Sequence, residues 1–333
     1  MRTILLIGPL LFAASTLAAA PWKKPKTFSA QIGVVSVPVA DVRKSSGTLP
    51  ESLGYDPEQE TQLLYGEIIN IVEESGDWVR IEAVEQEEYS HGQKWQGYPG
   101  WVKKTNVMPI KVPARNFVVQ KKATTLFGKP RIEKPIIVVS MGTQLYATDT
   151  LKNGYRKVRL VIGSSAWVPN SDIRPIKHES EESWARTKIV EAASELLGDP
   201  YFWGGRAANI PEIMPQVSAV DCSGLTHLAY RVAGMRIPRD SLEQFMKARK
   251  IKKDRLKMGD LIFVASKDNP NKVSHVAIYI EGDWMIEAPR TGETVHKITF
   301  EQKFGTPLEQ MIDGEPVGDR VVHFGTYFEN PVR

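Results

Sequence analysis

The feature that most narrows the folds open to this chain is a change of apolar period near its middle. From about residue 28 to 177, apolar residues fall in short alternating or β-branched runs broken by Gly, Pro, Asn and Asp, and nothing sustains a 3.6-residue period. Residues 34–39, 67–72, 78–81, 100–102, 117–119, 136–139, 158–162 and 167–168 read as strands. A turn followed by two aromatic strands occurs twice: Ser75-Gly76-Asp77-Trp78 with Gly100-Trp101-Val102, then Lys152-Asn153-Gly154-Tyr155 with Ala166-Trp167-Val168. The repeat predicts two small β-barrels in tandem, divided near residues 111–115, with one irregular sandwich as the alternative. Beyond Ile176 a polar, acidic stretch offers Ser180 or Ser183 as a helix cap. Residues 184–197 then carry Ile189, Ala192, Leu196 and Leu197 at helical spacing, ended by Gly198-Asp199-Pro200. A second helix over 222–233 gathers Leu225, Leu228, Ala229 and Val232 on one face and stops at Gly234. Strands follow at 261–265, 273–280, 284–288 and 321–324. Helices first and strands after, without βαβ alternation, predict an α+β fold.

Composition matters here mainly through charge and cysteine. Lys plus Arg is 43 and Asp plus Glu 39, a net +4 spread along 333 residues, so no basic block argues for nucleic acid. A single cysteine, Cys222, excludes an intramolecular disulfide framework and any multi-thiolate metal cluster. No phosphate-binding glycine loop or metal-ligand spacing is present, so no cofactor and no metal are implied. The N-terminus has Arg2, an apolar run over 4–14 and small residues up to Ala20, which is the pattern of a secretory signal peptide over 1–20. It is too short for a membrane span, and no cysteine near the cleavage region offers a lipid anchor. The expectation is an exported protein, periplasmic or at the cell wall, with no membrane anchor after cleavage. In an oxidising compartment an unpaired cysteine is either buried or needed.

Asp221-Cys222-Ser223-Gly224 stands where a loop becomes a helix. Asp221 suits the N-cap, which puts Cys222 in the first turn, where free N–H groups and the helix dipole favour an anion and lower a thiol pKa. Those N–H groups also suit an oxyanion. The competing expectation is an inert buried thiol. His275 lies in Val273-Ser274-His275-Val276-Ala277-Ile278-Tyr279-Ile280, where alternation puts His275, Ala277 and Tyr279 on one face. A strand histidine is often structural, but beside a lone thiolate it is the natural base.

In order, Tyr201-Phe202-Trp203-Gly204-Gly205, Asp221-Cys222-Ser223-Gly224-Leu225, Pro238-Arg239-Asp240-Ser241, Gly259-Asp260-Leu261-Ile262-Phe263 and Ser274-His275-Val276-Ala277-Ile278-Tyr279 resemble the NlpC family of papain-like cysteine peptidases. The likeness covers about residues 184–333; upstream, residues 28–112 and 113–177 look more weakly like bacterial SH3-like domains. The whole arrangement looks most like the γ-D-glutamyl-L-diamino acid endopeptidases, which cut murein stem peptides between D-Glu and the diamino acid. The resemblance implies Cys222 as nucleophile and His275 as general base. The residue that orients the imidazole falls twelve positions on, at Glu287, where the family usually has His, Asn or Gln; His296 is the alternative. Tyr201 matches a tyrosine lining the oxyanion site, with its backbone N–H and that of Cys222 as donors. Asp221, Ser223, Asp240 and Ser241 would hold the stem peptide around D-Glu. Glu67 and Tyr98 stand where peptidases that require a free N-terminal L-Ala place an acid and a tyrosine for the ammonium group. Residues 206–220 form a longer segment than the family usually has. A non-catalytic wall-binding protein, and a Cys/His amidase or acyltransferase on another substrate, are the rival readings.

Overall fold

A computed structural model describes residues 31–110, 113–130, 135–176, 181–210 and 217–328. The segment over 1–20 expected as a signal peptide lies outside the described residues.

The β-patterned half forms two seven-stranded antiparallel sheets. The first orders its strands Gln59–Leu64, Val39–Arg43, Gln96–Lys103, Trp78–Glu88, Ile68–Ser75, Gln31–Val35 and Val107–Met108. Its core includes Val42, Leu63, Ile69, Val79, Ile81 and Val102. The second runs from Pro135–Ser140 at one end to Ile173–Pro175 at the other, around Val119, Leu126, Val139 and Val158. Among the described residues each pairing path is open at both ends, so no closed barrel of the kind expected from the repeat is seen there. The run expected as one strand over 34–39 is divided into Gln31–Val35 and Val39–Arg43. Pro38 between them has no N–H for a ladder, and its carbonyl accepts from Tyr65 N instead.

The remainder is α+β. Helix α1 (Glu182–Ser194) has Glu181 as its N-cap, with no side-chain cap bond; of the expected caps, Ser183 lies inside the helix and Ser180 outside the described residues. Helix α2 (Cys222–Val232) packs against it, and α3 (Ser241–Lys247) and α4 (Phe300–Phe304) follow. The sheet is ordered Arg249–Ile251, Arg320–Thr326, Leu261–Ser266, Asn269–Glu281, Trp284–Glu287 and His296–Thr299. Alternation sorts the Asn269–Glu281 strand as its sequence predicts. Val276 and Ile278 join the cluster containing α1 and α2, and Ala277 and Tyr279 join the one containing Phe300 of α4. Burying Leu225, Leu228 and Val232 of α2 contributes about 1.5–3 kcal/mol each. Every residue of α2 is buried, its polar ones included, because the two N-terminal sheets cover the face that α1 and the third sheet leave open. Arg231 reaches both: Nε donates to the Gly142 carbonyl at 2.7 Å and a terminal nitrogen pairs with Glu85 at 2.7 Å. No helix among the described residues is long and apolar enough to cross a membrane.

Candidate active site

Cys222 occupies the first position of α2, and Asp221 before it is the cap. One Asp221 oxygen accepts from Gly224 N at 2.6 Å, Ser223 Oγ at 3.2 Å and Arg239 at 3.1 Å; the other accepts from Gly204 N at 3.0 Å and Arg239 at 2.8 Å. Arg239 also donates to Ser223 Oγ at 2.9 Å and to Thr61 Oγ1 at 2.8 Å. These bonds engage Asp221 and Ser223 in fixing the cysteine turn. Two glycines make the turn possible. A Cβ on Gly224 would meet the Gly205 carbonyl at 2.2 Å, and Gly204 has φ +70° with Gln59 Cγ only 2.8 Å from where its Cβ would stand. The cysteine turn and the first sheet are therefore in direct contact.

The thiol itself departs from expectation. Burial and the adjoining Asp221 carboxylate push Cys222 up to about 12, against the backbone N–H groups of Val276 and Ser223 and the Arg239 guanidinium, which favour the thiolate. The helix N-terminus does not outweigh removal from water, and the expected lowering is corrected. Ionisation near neutral pH therefore needs a base to take the proton within the site.

His275 is the candidate for that base. Val264 pairs with His275 and Ala265 with Val273, so Ser274 bulges and re-aims the strand at the histidine. On the next strand Ile286 pairs with Ile278; extending that register sets Glu287 opposite Ala277 and diagonal to His275 on one face. His275 Nε2 lies 2.6 Å from Glu287 Oε2, which leaves Nδ1 for the thiol. Burial opposes the Glu287 charge, but the His275 bond and charge and the Lys303 ammonium outweigh it and hold the carboxyl down at about 2. His296, paired with Glu287 in register, has its Nε2 3.5 Å from the other oxygen, buried and unbonded. Among the described residues no hydrogen bond joins Cys222 to His275; Sγ faces the backbone N–H of Val276, the neighbour of the histidine. Such bonds are often long before substrate binds.

Tyr201 is 7% exposed, and its hydroxyl is raised by burial and by the charges of Cys222 and Asp221, which places it beside the thiol. Its backbone N–H donates to the Glu293 carbonyl at 2.9 Å, so the expected backbone donor is engaged and the hydroxyl is the available group. The Cys222 N–H has no intrahelical partner. Trp203, 44% exposed, meets Tyr55 edge-on at 5.5 Å on the rim.

A second polar centre borders the first. The Tyr98 hydroxyl lies 3.0 Å from Asp240 Oδ2 and 3.3 Å from Glu60 Oε2. Asp240 is raised by burial and by the Glu243 and Asp221 charges, an effect tempered because 37% of its side chain reaches water. Arg239 bonds Asp221 and approaches Asp240 at 3.5 Å, tying this centre to the cysteine turn. Ser241 opens α3 beside it, half-buried. Glu67 is absent from this pocket: it is 1% exposed, paired with Arg206, bonded by Gln86 at 3.2 Å and approached by Arg231 at 3.4 Å. The carboxylate beside Tyr98 besides Asp240 is Glu60, which the sequence did not single out because Gln59–Leu64 is a Gln- and Glu-rich strand with little β signal. Arg239 lay in a quoted motif without a role, and Lys303 gave no signal before α4 was seen.

The NlpC/P60 family profile matches residues 198–311. A γ-D-glutamyl-L-lysine dipeptidyl-peptidase of Bacillus subtilis is 30% identical over 260 residues, 76% of this chain and 80% of that protein. Its Bacillus cereus counterpart is 31% identical over 251 residues, 72% of this chain and 70% of that protein. A crystal structure of an NlpC/P60 family protein from Bacillus cereus superposes with a TM-score of 0.70 at 24% identity, covering 89% of this chain and 99% of that one; it shares the fold. A buried cysteine on a helix N-terminus, a carboxylate-held histidine on the neighbouring strand and these relatives agree, and the chain belongs to the NlpC/P60 family of cysteine peptidases.

Proposed function

We propose that this enzyme hydrolyses the bond between γ-linked D-Glu and a diamino acid in murein stem peptides whose L-Ala amine is free. The observation that carries this reading is the Tyr98 hydroxyl set between Glu60 and Asp240 and joined through Arg239 to the cysteine cap. Two carboxylates about one hydroxyl suit an ammonium group, and charge-assisted bonds there favour a free N-terminus over a chain that continues to sugar. Two relatives are γ-D-glutamyl-L-lysine dipeptidyl-peptidases, and a dipeptidyl-peptidase removes a dipeptide from a free N-terminus, which supports this reading.

In this mechanism His275 takes the Cys222 proton at Nδ1, and Glu287 steadies the resulting imidazolium through Nε2. The thiolate adds to the D-Glu γ-carbonyl, and the oxyanion accepts from the Cys222 N–H and the Tyr201 hydroxyl. His275 returns the proton to the leaving amine, and water then hydrolyses the thioester. Ser241 and Asp240 contact the dipeptide portion. Residues 28–112 and 113–177 act as SH3-like modules ahead of a peptidase domain over 184–333, and the segment 1–20 directs export. The test is mass spectrometry of digests of free L-Ala-γ-D-Glu-diamino acid, the same peptide N-acetylated, and intact sacculi. The reading expects release of the diamino acid from the first alone. Equal cleavage of the acetylated peptide would overturn the amine requirement.

A further inference from the structure

The carboxylate that holds the catalytic histidine has a second partner of opposite charge. Lys303 Nζ lies 2.7 Å from Glu287 Oε1 and 2.6 Å from Oε2, while His275 Nε2 shares Oε2 at 2.6 Å. The lysine is delivered by α4, a five-residue helix fixed by a capping box between Thr299 and Gln302 and ended by Gly305 at φ +73°. Phe300 of that helix packs with Ala277, Tyr279 and Met285, which carry the His275 and Glu287 strands. The ionisable groups facing Glu287 are thus His275, Lys303 and, 3.5 Å away without a bond, His296. Glu287 is 1% exposed and Lys303 20%.

A lone buried carboxylate would bind imidazolium strongly, as the acid of a serine triad does, and hold its proton too firmly to return it. An ammonium across both oxygens cancels that charge. We propose that Lys303 is a positioning residue, making the Glu287–Lys303 pair act toward His275 as one neutral hydrogen-bond acceptor and so setting how firmly the histidine holds the cysteine proton. This accounts for a glutamate where the related pattern has His, Asn or Gln, all able to bond an imidazole without a net negative charge. The proposal rests on the Cys222–His275 reading and on no particular peptide.

Two readouts test it: kcat/KM on the free tripeptide, and the rate of Cys222 alkylation by iodoacetamide, which needs no substrate, each followed across pH. Lys303→Met should move the acid limb of both profiles, where His275 must lose its proton to act as base, upward by about one pH unit, and Lys303→Arg should leave it in place. Glu287→Gln alone leaves Lys303 facing the imidazole and should move the limb down. The double variant Glu287→Gln/Lys303→Met should lie closer to wild type than either single change. A Lys303→Met enzyme that loses thermal stability but keeps the wild-type limb would overturn the proposal, as would additive shifts in the double variant. A wild type whose alkylation shows no histidine limb would remove the dyad itself, and the proposal with it.

Discussion

Glu287 and Glu67 are shielded from water to the same degree, each 1% exposed, and each sits among basic side chains. Around Glu67 both partners are guanidiniums, Arg206 and Arg231, which keep their protons, and the neighbouring His227 is held neutral by burial and by those arginines. That seam joins the first sheet to α2 and carries no proton anywhere. Around Glu287 one partner is an imidazole at the bulge beside Val276, whose N–H meets the Cys222 sulfur. A buried carboxylate becomes part of a reaction when its partner can gain and lose a proton next to a nucleophile; burial and pairing alone make a joint.

The contrast is broken or sharpened by substitution. Glu67→Gln leaves two buried guanidiniums short of charge and should cost about 3–5 kcal/mol of stability in urea unfolding, with kcat/KM per folded molecule retained. A large rate loss at unchanged stability would erase the distinction. Glu287→Ala should lower kcat per folded molecule by about 10²-fold, checked by steady-state kinetics on the tripeptide. Acid unfolding comes next. At Glu85 burial opposes ionisation but Arg231 and Arg115 prevail, and at Glu287 His275 and Lys303 do, so both are lowered to about 2. Groups lowered on folding contribute fully above about pH 4.5 and lose that contribution as pH falls toward 2, of order 2 kcal/mol each. Urea midpoints at pH 5 and pH 3 should show the drop in wild type, and a smaller one in Glu287→Ala. Smallest is Glu60→Gln, expected to raise KM for the free tripeptide about tenfold while sparing stability.

The sequence displayed what depends on local period and short motifs: both helices near their observed ends, the cap at Asp221, the alternation that sorts Val276 from Ala277, and the spacing from His275 to Glu287. It could not display what depends on elements far apart in the chain. Glu60 lies in the strand Gln59–Leu64 and Glu67 just beyond it, and their different surroundings are set by His91, Asp240 and Arg206, which come from distant segments. Likewise Thr226, His227 and Arg231 look like a solvated helix face until the N-terminal sheets cover it. The thiol was misjudged because helix position is local, whereas desolvation is set by everything packed around the sulfur.

The central claim is that a thiol driven up to about 12 by burial ionises at neutral pH only because His275 accepts its proton. Iodoacetamide alkylation of Cys222, measured from pH 5 to 10 in wild type and in His275→Ala, tests this directly. The account predicts rapid labelling of wild type near neutrality and labelling of the variant that stays slow until strongly alkaline pH. Superimposable profiles for the two proteins would contradict it.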